Sequence, residues 1–225
     1  MGVKRYRYVI VSRHGELANP KNIVYNRDDT MKKEDIIHLS DYGREQMFFL
    51  GKLIQKRKFH VVTIFHSPSI RAVESAYELN KSLHLGPHQV RAMKELDDVL
   101  APGPYLEGMK IDEFQRMGSI NFGIGQWKKY LYETIESLVE RLEKVYHRMV
   151  DELEIGDTGL MVSHGDPVAA WLQYRVTGAI PEPQLLRKGI YPNKGEATVI
   201  RIDSKGAWQS YHVMKDPSLK QGKQY

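Results

Sequence analysis

The chain has 225 residues, 41% of them hydrophobic and 27% charged, which is typical of a folded globular protein and excludes a disordered or collagen-like chain. Residues 4–7 and 215–223 account for the whole net charge of +5, so no nucleic-acid partner is expected. Cysteine is absent and no apolar run reaches the roughly 18 residues of a membrane-spanning helix, which excludes disulfide bonds, cysteine nucleophiles and a membrane partner and favours a cytoplasmic location.

Short apolar runs rich in β-branched residues predict the strands. Residues 8–12 form the first of these runs, residues 61–65 the second and residues 160–163 a later one. A short strand is expected near residues 89–93. The last two runs, 198–202 and 208–213, flank a stretch of turn-forming residues, and this pattern predicts a hairpin.

Apolar residues at helical spacing predict helices between these strands. The first helix covers residues 41–57, with Ser40 as its N-cap. The helices at 67–83 and 166–178 are expected to begin with a capping residue followed by proline, and the second of them ends at a glycine. A long amphipathic helix is expected from an apolar stripe over residues 127–153.

Strands that alternate with helices predict an α/β fold. We expect a three-layer sandwich, with a mostly parallel central sheet, helices on both faces and an antiparallel edge strand. Residues 1–214 are expected to form a single domain. The irregular stretch 97–125 is interpreted as a cap or lid insertion, and residues 215–225 as a basic tail.

Two histidines and two arginines fall where ligands gather in such sheets, at the carboxyl ends of the strands. Arg13 and His14 follow the first strand, and His164 follows the strand at 160–163. Arg71 lies in the first turn of the helix after the second strand. The topology therefore predicts that these four side chains share one rim of the sheet.

This set of side chains is suited to phosphoryl transfer. Arginine presents paired planar donors to phosphate oxygens, and helix N-termini add backbone N–H groups and a favourable dipole. A neutral histidine in such a field can attack phosphorus as a covalent nucleophile. A glycine follows each histidine, which lets the backbone approach a ligand closely.

Four stretches of the chain, in this order, are similar to motifs of the histidine phosphatase superfamily, in its phosphoglycerate-mutase-like branch. They are Arg13-His14-Gly15, Leu39-Ser40-Asp41-Tyr42-Gly43-Arg44-Glu45-Gln46, Ser67-Pro68-Ser69-Ile70-Arg71-Ala72 and Val162-Ser163-His164-Gly165. Asn193-Lys194-Gly195-Glu196-Ala197-Thr198 also resembles that branch. The resemblance covers roughly residues 7–214, and four motifs in register are far more specific than one tripeptide.

The resemblance implies that His14 is phosphorylated during turnover. It implies that Arg13, Arg71 and His164 bind the phosphoryl group, with Gly165 beside them. The proton donor of the family is a glutamate after the short strand that follows the Arg71 helix. Glu95 matches that place, and Asp97 and Asp98 are its rivals.

Asn19 is the candidate for a further phosphate-binding residue, although it stands one place earlier than the asparagine of the mutase motif. Glu16 is followed by Leu17 where that motif has Glu-Ser, and the mutase signature after the proton donor is missing. These departures favour a phosphatase over a mutase. Asp166 does not directly follow His164, so it is interpreted as a helix cap rather than as the acid.

The sequence thus predicts a metal-independent phosphatase that needs no cofactor and hydrolyses phosphomonoesters through a phosphohistidine on His14. Its expected partner is a phosphorylated small molecule. The alternatives are a phosphoglycerate-type mutase and a weakly active regulator that binds phosphorylated partners. The oligomeric state stays open, and a homodimer is one of the options.

Overall fold

The computed structural model describes residues 6–24, 32–99, 109–116, 133–182, 186 and 189–215. Its strands are β1 (Arg7–Arg13), β2 (His60–His66), β3 (Val90–Ala92), β4 (Asp157–Ser163), β5 (Glu196–Ile202) and β6 (Trp208–Lys215). Its α-helices are α1 (Asp41–Lys56), α2 (Ile70–Leu83), α3 (Ile111–Arg116), α4 (Ile135–Glu152) and α5 (Gly165–Thr177). Short 3₁₀ turns cover Lys33–Asp35, Pro87–Gln89 and Lys94–Leu96.

The described strands form one sheet in the order β3-β2-β4-β1-β5-β6. The first four of these strands run parallel, β5 is antiparallel to β1, and β6 is antiparallel to β5. The predicted α/β fold with a mostly parallel sheet is therefore confirmed, and its antiparallel part is the β5–β6 pair. Because β1 and β4 are parallel neighbours, their carboxyl ends lie side by side.

Helices cover both faces of the sheet. The helices α1 and α2 pack on one face, where Met47 and Leu79 join sheet residues such as Ile10. The helices α4 and α5 pack on the other face, where Tyr146 and Trp171 join sheet residues that include Val9, Phe65 and Met161. Alternate residues of β1 thus enter different cores, as expected for a strand that is buried on both faces.

Two predicted helix starts are wrong. The helix α2 begins at Ile70, with Ser69 as its N-cap, rather than at the Ser67-Pro68 pair; Oγ of Ser67 accepts the N–H of Ser69 and also bonds to Asp97 and His164. The helix α5 begins at Gly165 with His164 as its N-cap, so Asp166 is inside the first turn and is not the cap. Its carboxylate instead accepts a hydrogen bond from the hydroxyl of Tyr191.

The long helix is shorter than predicted. The described helix begins at Ile135, where the hydroxyl of Thr134 accepts the N–H of Ser137, and residues 133–134 are not helical, so the prediction of one continuous helix over 127–153 is wrong. The part of the stripe at 127–132, including the predicted start at Trp127, lies outside the described residues. The N-cap of α1 at Ser40 and the glycine end of α5 at Gly178 are confirmed.

Most of the expected lid at 97–125 and of the expected tail at 215–225 lies outside the described residues. The described part of the lid meets the loop after β1, since Ile23 forms a β-bridge with Lys110. No helix among the described residues is both long and apolar enough to span a membrane.

Candidate active site

The two histidines lie together at the carboxyl ends of adjacent strands. Arg13 of β1 is in register with Ser163 of β4, so the next residue of each strand is a histidine. The ring centroids of His14 and His164 are 5.3 Å apart with the planes at 64°. Both side chains are almost fully buried. The two histidine rings therefore lie at the centre of the sheet rim that the sequence predicts.

A close contact between two backbones holds the loop after β1. A Cβ on Gly15 would lie 2.4 Å from the carbonyl oxygen of Gly43, and a Cβ on Gly43 would lie 2.0 Å from the carbonyl oxygen of Glu16. Only glycine permits this approach. The start of α1 is thereby packed directly against the loop that carries His14.

His14 is held in one orientation and in its neutral form. Its Nδ1 lies 2.8 Å from the carbonyl oxygen of Gly15, which can only accept a hydrogen bond, so Nδ1 carries the proton. Burial lowers the pKa of His14 well below its usual value, and the charges of Arg13, His164 and Arg71 lower it further. The lone pair of the neutral ring is therefore on Nε2.

Arg13 is a buried cation with no anion beside it among the described residues. The side chain is 5% exposed, and its Nε is buried without a hydrogen-bond partner. Its guanidinium lies 5.5 Å from the ring centre of Tyr191. A Cβ on Gly165 would fall 2.2 Å from the Tyr191 hydroxyl oxygen and 3.1 Å from Cζ of Arg13, so glycine at this position leaves the guanidinium room.

Arg71 and His164 contact each other and one carboxylate. Nε of Arg71 donates to Nδ1 of His164 at 3.3 Å, and Nη2 of Arg71 donates to Oδ2 of Asp98 at 3.0 Å. The same carboxylate oxygen lies 3.3 Å from Nδ1 of His164. Burial nevertheless lowers the pKa of His164 well below its usual value, followed by the charges of Arg71, Arg141 and Arg13.

A second carboxylate reaches His164 through a serine. The hydroxyls of Ser67 and Ser69 donate to Oδ1 of Asp97 at 2.8 and 2.6 Å. Oγ of Ser67 lies 2.9 Å from Nε2 of His164. A continuous and mostly buried chain of hydrogen bonds therefore joins Asp97, Ser67, His164 and Arg71.

The three candidate acids are placed differently. The carboxylate of Asp98 contacts Arg71 and His164, and that of Asp97 contacts the serines of the loop after β2. Glu95 is partly exposed, and the carboxylates that contact Arg71 and His164 among the described residues are those of Asp97 and Asp98. Among the described carboxylates, that of Asp98 is the one bonded to Arg71.

Asn19 is used within its own loop. Its side-chain amide donates to the carbonyl of Ile23 at 2.9 Å, and its side-chain oxygen accepts the N–H of the same residue at 3.2 Å. Both ends of the amide are therefore bonded to one backbone segment. A role for Asn19 in binding phosphate stays a prediction.

Sequence reasoning missed Tyr191, Lys194 and Arg141. Lys194 forms a β-bridge with Arg13, and burial together with the charge of Arg13 lowers its pKa to about 8. It stands in the stretch before β5 that resembles the family, which was the available signal. Arg141 has no such signal, because its contacts are with backbone carbonyls about 45 residues away.

The described residues contain no group of three or more His, Cys, Asp or Glu side chains arranged to hold a metal ion. The positive charge of the site is supplied by guanidinium groups and by the N–H groups at the start of α5. A neutral imidazole, a buried guanidinium whose Nε has no hydrogen-bond partner among the described residues, and a nearby carboxylate can together bind and transfer a phosphoryl group.

The family model of the histidine phosphatase superfamily, branch 1, matches residues 9–213. A comparison with curated protein sequences finds no match.

Several solved structures have the same fold. The structure of mycobacterial hydrolase 2 is 17% identical, with a TM-score of 0.69 over 97% of this chain and 94% of that one. Mycobacterial glucosyl-3-phosphoglycerate phosphatase is 16% identical, with a TM-score of 0.67 over 93% and 97%. The alpha-ribazole phosphatase of Shigella flexneri is 19% identical, with a TM-score of 0.65 over 97% and 100%. At such identities the likeness concerns the fold.

Proposed function

Because the chain belongs to branch 1 of the histidine phosphatase superfamily, we propose that it hydrolyses phosphomonoesters through a phosphohistidine on His14, without a metal ion. In this proposal Arg13, Arg71 and His164 hold the phosphoryl group, and Gly165 offers its backbone N–H. The substrate is a phosphorylated small molecule.

The observation that carries the proposal is the protonation state of His14. Its Nδ1–H is bonded to the Gly15 carbonyl, and its pKa is held well below the usual value by burial and by three neighbouring cationic or titratable side chains. The ring therefore keeps a lone pair on Nε2 at neutral pH. A nucleophile with this lone pair needs no separate base.

The buried guanidinium of Arg13 supports phosphate as the bound group. Leaving a buried charge without a partner is costly, and a phosphate oxygen would satisfy it. The ring centroids of His14 and His164 are 5.3 Å apart, and Arg71 donates a hydrogen bond to His164, so Arg71 also lies close to the nucleophile. The cationic groups are thus preorganised around one small volume.

The proposed reaction has two steps. Nε2 of His14 attacks phosphorus, the bond from phosphorus to the ester oxygen breaks, and a carboxylic acid gives its proton to the departing alcohol. A water molecule then attacks the phosphohistidine, its proton passes to the same carboxylate, and the phosphorus–nitrogen bond breaks to release phosphate. Both steps use the same positive groups to stabilise charge on the phosphoryl oxygens.

We assign the proton donor to Asp98 in place of Glu95. The Asp98 carboxylate is bonded to Arg71, a group that holds the phosphoryl oxygens in this proposal, whereas Glu95 contacts none of them. When phosphate takes over Arg71, its negative charge favours the protonated form of the carboxyl beside it. The contact with Arg71 therefore suits a group that becomes an acid on substrate binding.

The test is turnover of a panel of phosphorylated metabolites in ¹⁸O-labelled water with chelator present. The panel includes the substrates in the names of two structural neighbours, glucosyl-3-phosphoglycerate and alpha-ribazole 5′-phosphate. The proposal expects one ¹⁸O atom in each phosphate released. Transfer of the phosphoryl group to another substrate hydroxyl would indicate the mutase, and tight binding without turnover would indicate the regulator.

A further inference from the structure

A guanidinium outside the pocket holds the backbone that carries the candidate acids. Nη1 of Arg141, on helix α4, donates to the carbonyl of Glu95 at 2.5 Å and to that of Asp97 at 2.7 Å. Nη2 donates to the carbonyl of Asp98 at 3.0 Å. Three carbonyls of one four-residue segment are therefore bonded to a single side chain.

The remaining N–H groups of Arg141 are bonded to Glu133. Nε donates to one carboxylate oxygen at 2.7 Å and Nη2 to the other at 2.9 Å. The exposed fractions of the two side chains are only 13% and 6%. All five donors of the guanidinium are thus used, and the Glu133 carboxylate fixes the plane in which it lies.

The fourth carbonyl of the segment is also held. The hydroxyl of Ser163, the last residue of β4, donates to the carbonyl of Leu96 at 2.6 Å. Every carbonyl from Glu95 to Asp98 therefore has a side-chain donor. Such a segment cannot shift without breaking several largely buried hydrogen bonds at once.

We propose that Arg141, held by Glu133, is a positioning residue that keeps the carboxylates of Asp97 and Asp98 against the phosphate-binding groups. The side chains of the clamped segment converge on the site, Asp98 directly on Arg71 and Asp97 through Ser67 on His164. The charge of Arg141 also contributes to lowering the pKa of His164, after burial and Arg71. Only arginine offers five planar donors, so lysine cannot replace it.

The clamp itself is tested without reference to activity. Amide hydrogen exchange at Leu96, Asp97 and Asp98 is compared between the wild type, Arg141→Lys and Glu133→Gln. Arg148→Gln is the matched control, because Arg148 lies on the same helix and its pairing with Glu152 is exposed. Exchange at the three amides should rise at least about tenfold in both clamp variants and stay unchanged in the control.

The catalytic part rests on the proposed function and uses the same variants. Because general acid catalysis supplies about 10²–10⁴-fold, Arg141→Lys should lower kcat for alkyl phosphates by roughly 10²-fold. The loss should nearly vanish for nitrophenyl phosphate, whose leaving group needs no proton, and KM should change little. In Arg141→Ala, added guanidinium ion should restore part of the alkyl phosphate rate.

The outcomes separate the two claims. Faster exchange together with a loss that is equal for both kinds of substrate would mean that the clamp is purely structural, and the proposal would be wrong. Unchanged exchange in Arg141→Lys and Glu133→Gln would also overturn it. Absence of His14-dependent hydrolysis in the wild type would instead refute the proposed function, and the exchange experiment would still decide on the clamp.

Discussion

Nε2 of His164 lies 2.9 Å from Oγ of Ser67, and this contact fixes the proton on the histidine. The Ser67 hydroxyl already donates to the carboxylate of Asp97, so its oxygen must accept from the ring. His164 is therefore protonated on Nε2, and its Nδ1 can accept the N–H of Arg71. A carboxylate thus sets the tautomer of a histidine through one intervening hydroxyl.

Replacing Ser67 by alanine should lower kcat more than replacing Ser69 by alanine. Both serines donate to Asp97, but only Ser67 touches His164. Losing a buried hydrogen bond costs about 1–3 kcal/mol, which corresponds to roughly 5- to 150-fold in rate. We expect a loss of kcat in this range for Ser67→Ala and a much smaller one for Ser69→Ala. Equal losses in the two variants would show that the tautomer of His164 is unimportant.

The proton donor is identified by the dependence of rate on the leaving group. Asp98→Asn should lower kcat for alkyl phosphates by about 10²-fold or more and leave nitrophenyl phosphate nearly unaffected. Glu95→Gln is the control, since the carboxylates beside Arg71 and His164 among the described residues are those of Asp97 and Asp98. If Glu95→Gln shows the leaving-group dependence and Asp98→Asn does not, the original prediction of Glu95 stands and the assignment to Asp98 is wrong.

His14 should stay neutral well below pH 6.5. Burial lowers its pKa, as do Arg13, His164 and Arg71, while the hydrogen bond to Gly15 raises it. A lowered pKa means that the nucleophilic lone pair is lost only as the pH falls through that lower value. Because phosphate esters themselves titrate near pH 6, the rate profile is ambiguous, and ¹⁵N NMR of the ring is the better measurement. A titration midpoint of the His14 ring near pH 6.5 would contradict the lowered pKa.

Activity should survive removal of divalent metals. The proposed phosphate site uses the guanidiniums of Arg13 and Arg71 and the N–H groups at the start of α5 to offset phosphate charge. We expect kcat to be unchanged after dialysis against chelator. If chelation abolished the activity and added Mg²⁺, Mn²⁺ or Zn²⁺ restored it, a metal ion would be supplying the positive charge that this proposal assigns to arginine.

The features that could be predicted from the sequence depend on local patterns. Apolar runs and helical stripes correctly indicated the strands and the two-faced core, because the apolar residues of β1 belong to both cores. The order of the strands was not predicted, yet it decides that His14 and His164 are neighbours. That the two histidines share one rim could be predicted, because binding residues gather at the carboxyl ends of parallel strands and a glycine follows each histidine.

The finer geometry depends on contacts that no local pattern encodes. The direction of the Glu95, Asp97 and Asp98 side chains is set by a single 3₁₀ turn, in which Leu96 is fully buried. Periodicity cannot resolve one turn of three residues. The helix starts at Ser67 and Asp166 were mispredicted, and in both cases the side chain has a distant partner that a local pattern does not encode: Asp97 and His164 for Ser67, and Tyr191 for Asp166.

The phosphorylation of His14 is the central claim, and one measurement tests it most directly. Wild-type protein is mixed briefly with a ³²P-labelled substrate, quenched, and digested, and the labelled peptide is identified by mass spectrometry. The account predicts an acid-labile, alkali-stable phosphoryl group on His14, and neither label nor hydrolysis in His14→Ala. Label on another residue, or full hydrolysis by His14→Ala, would contradict it.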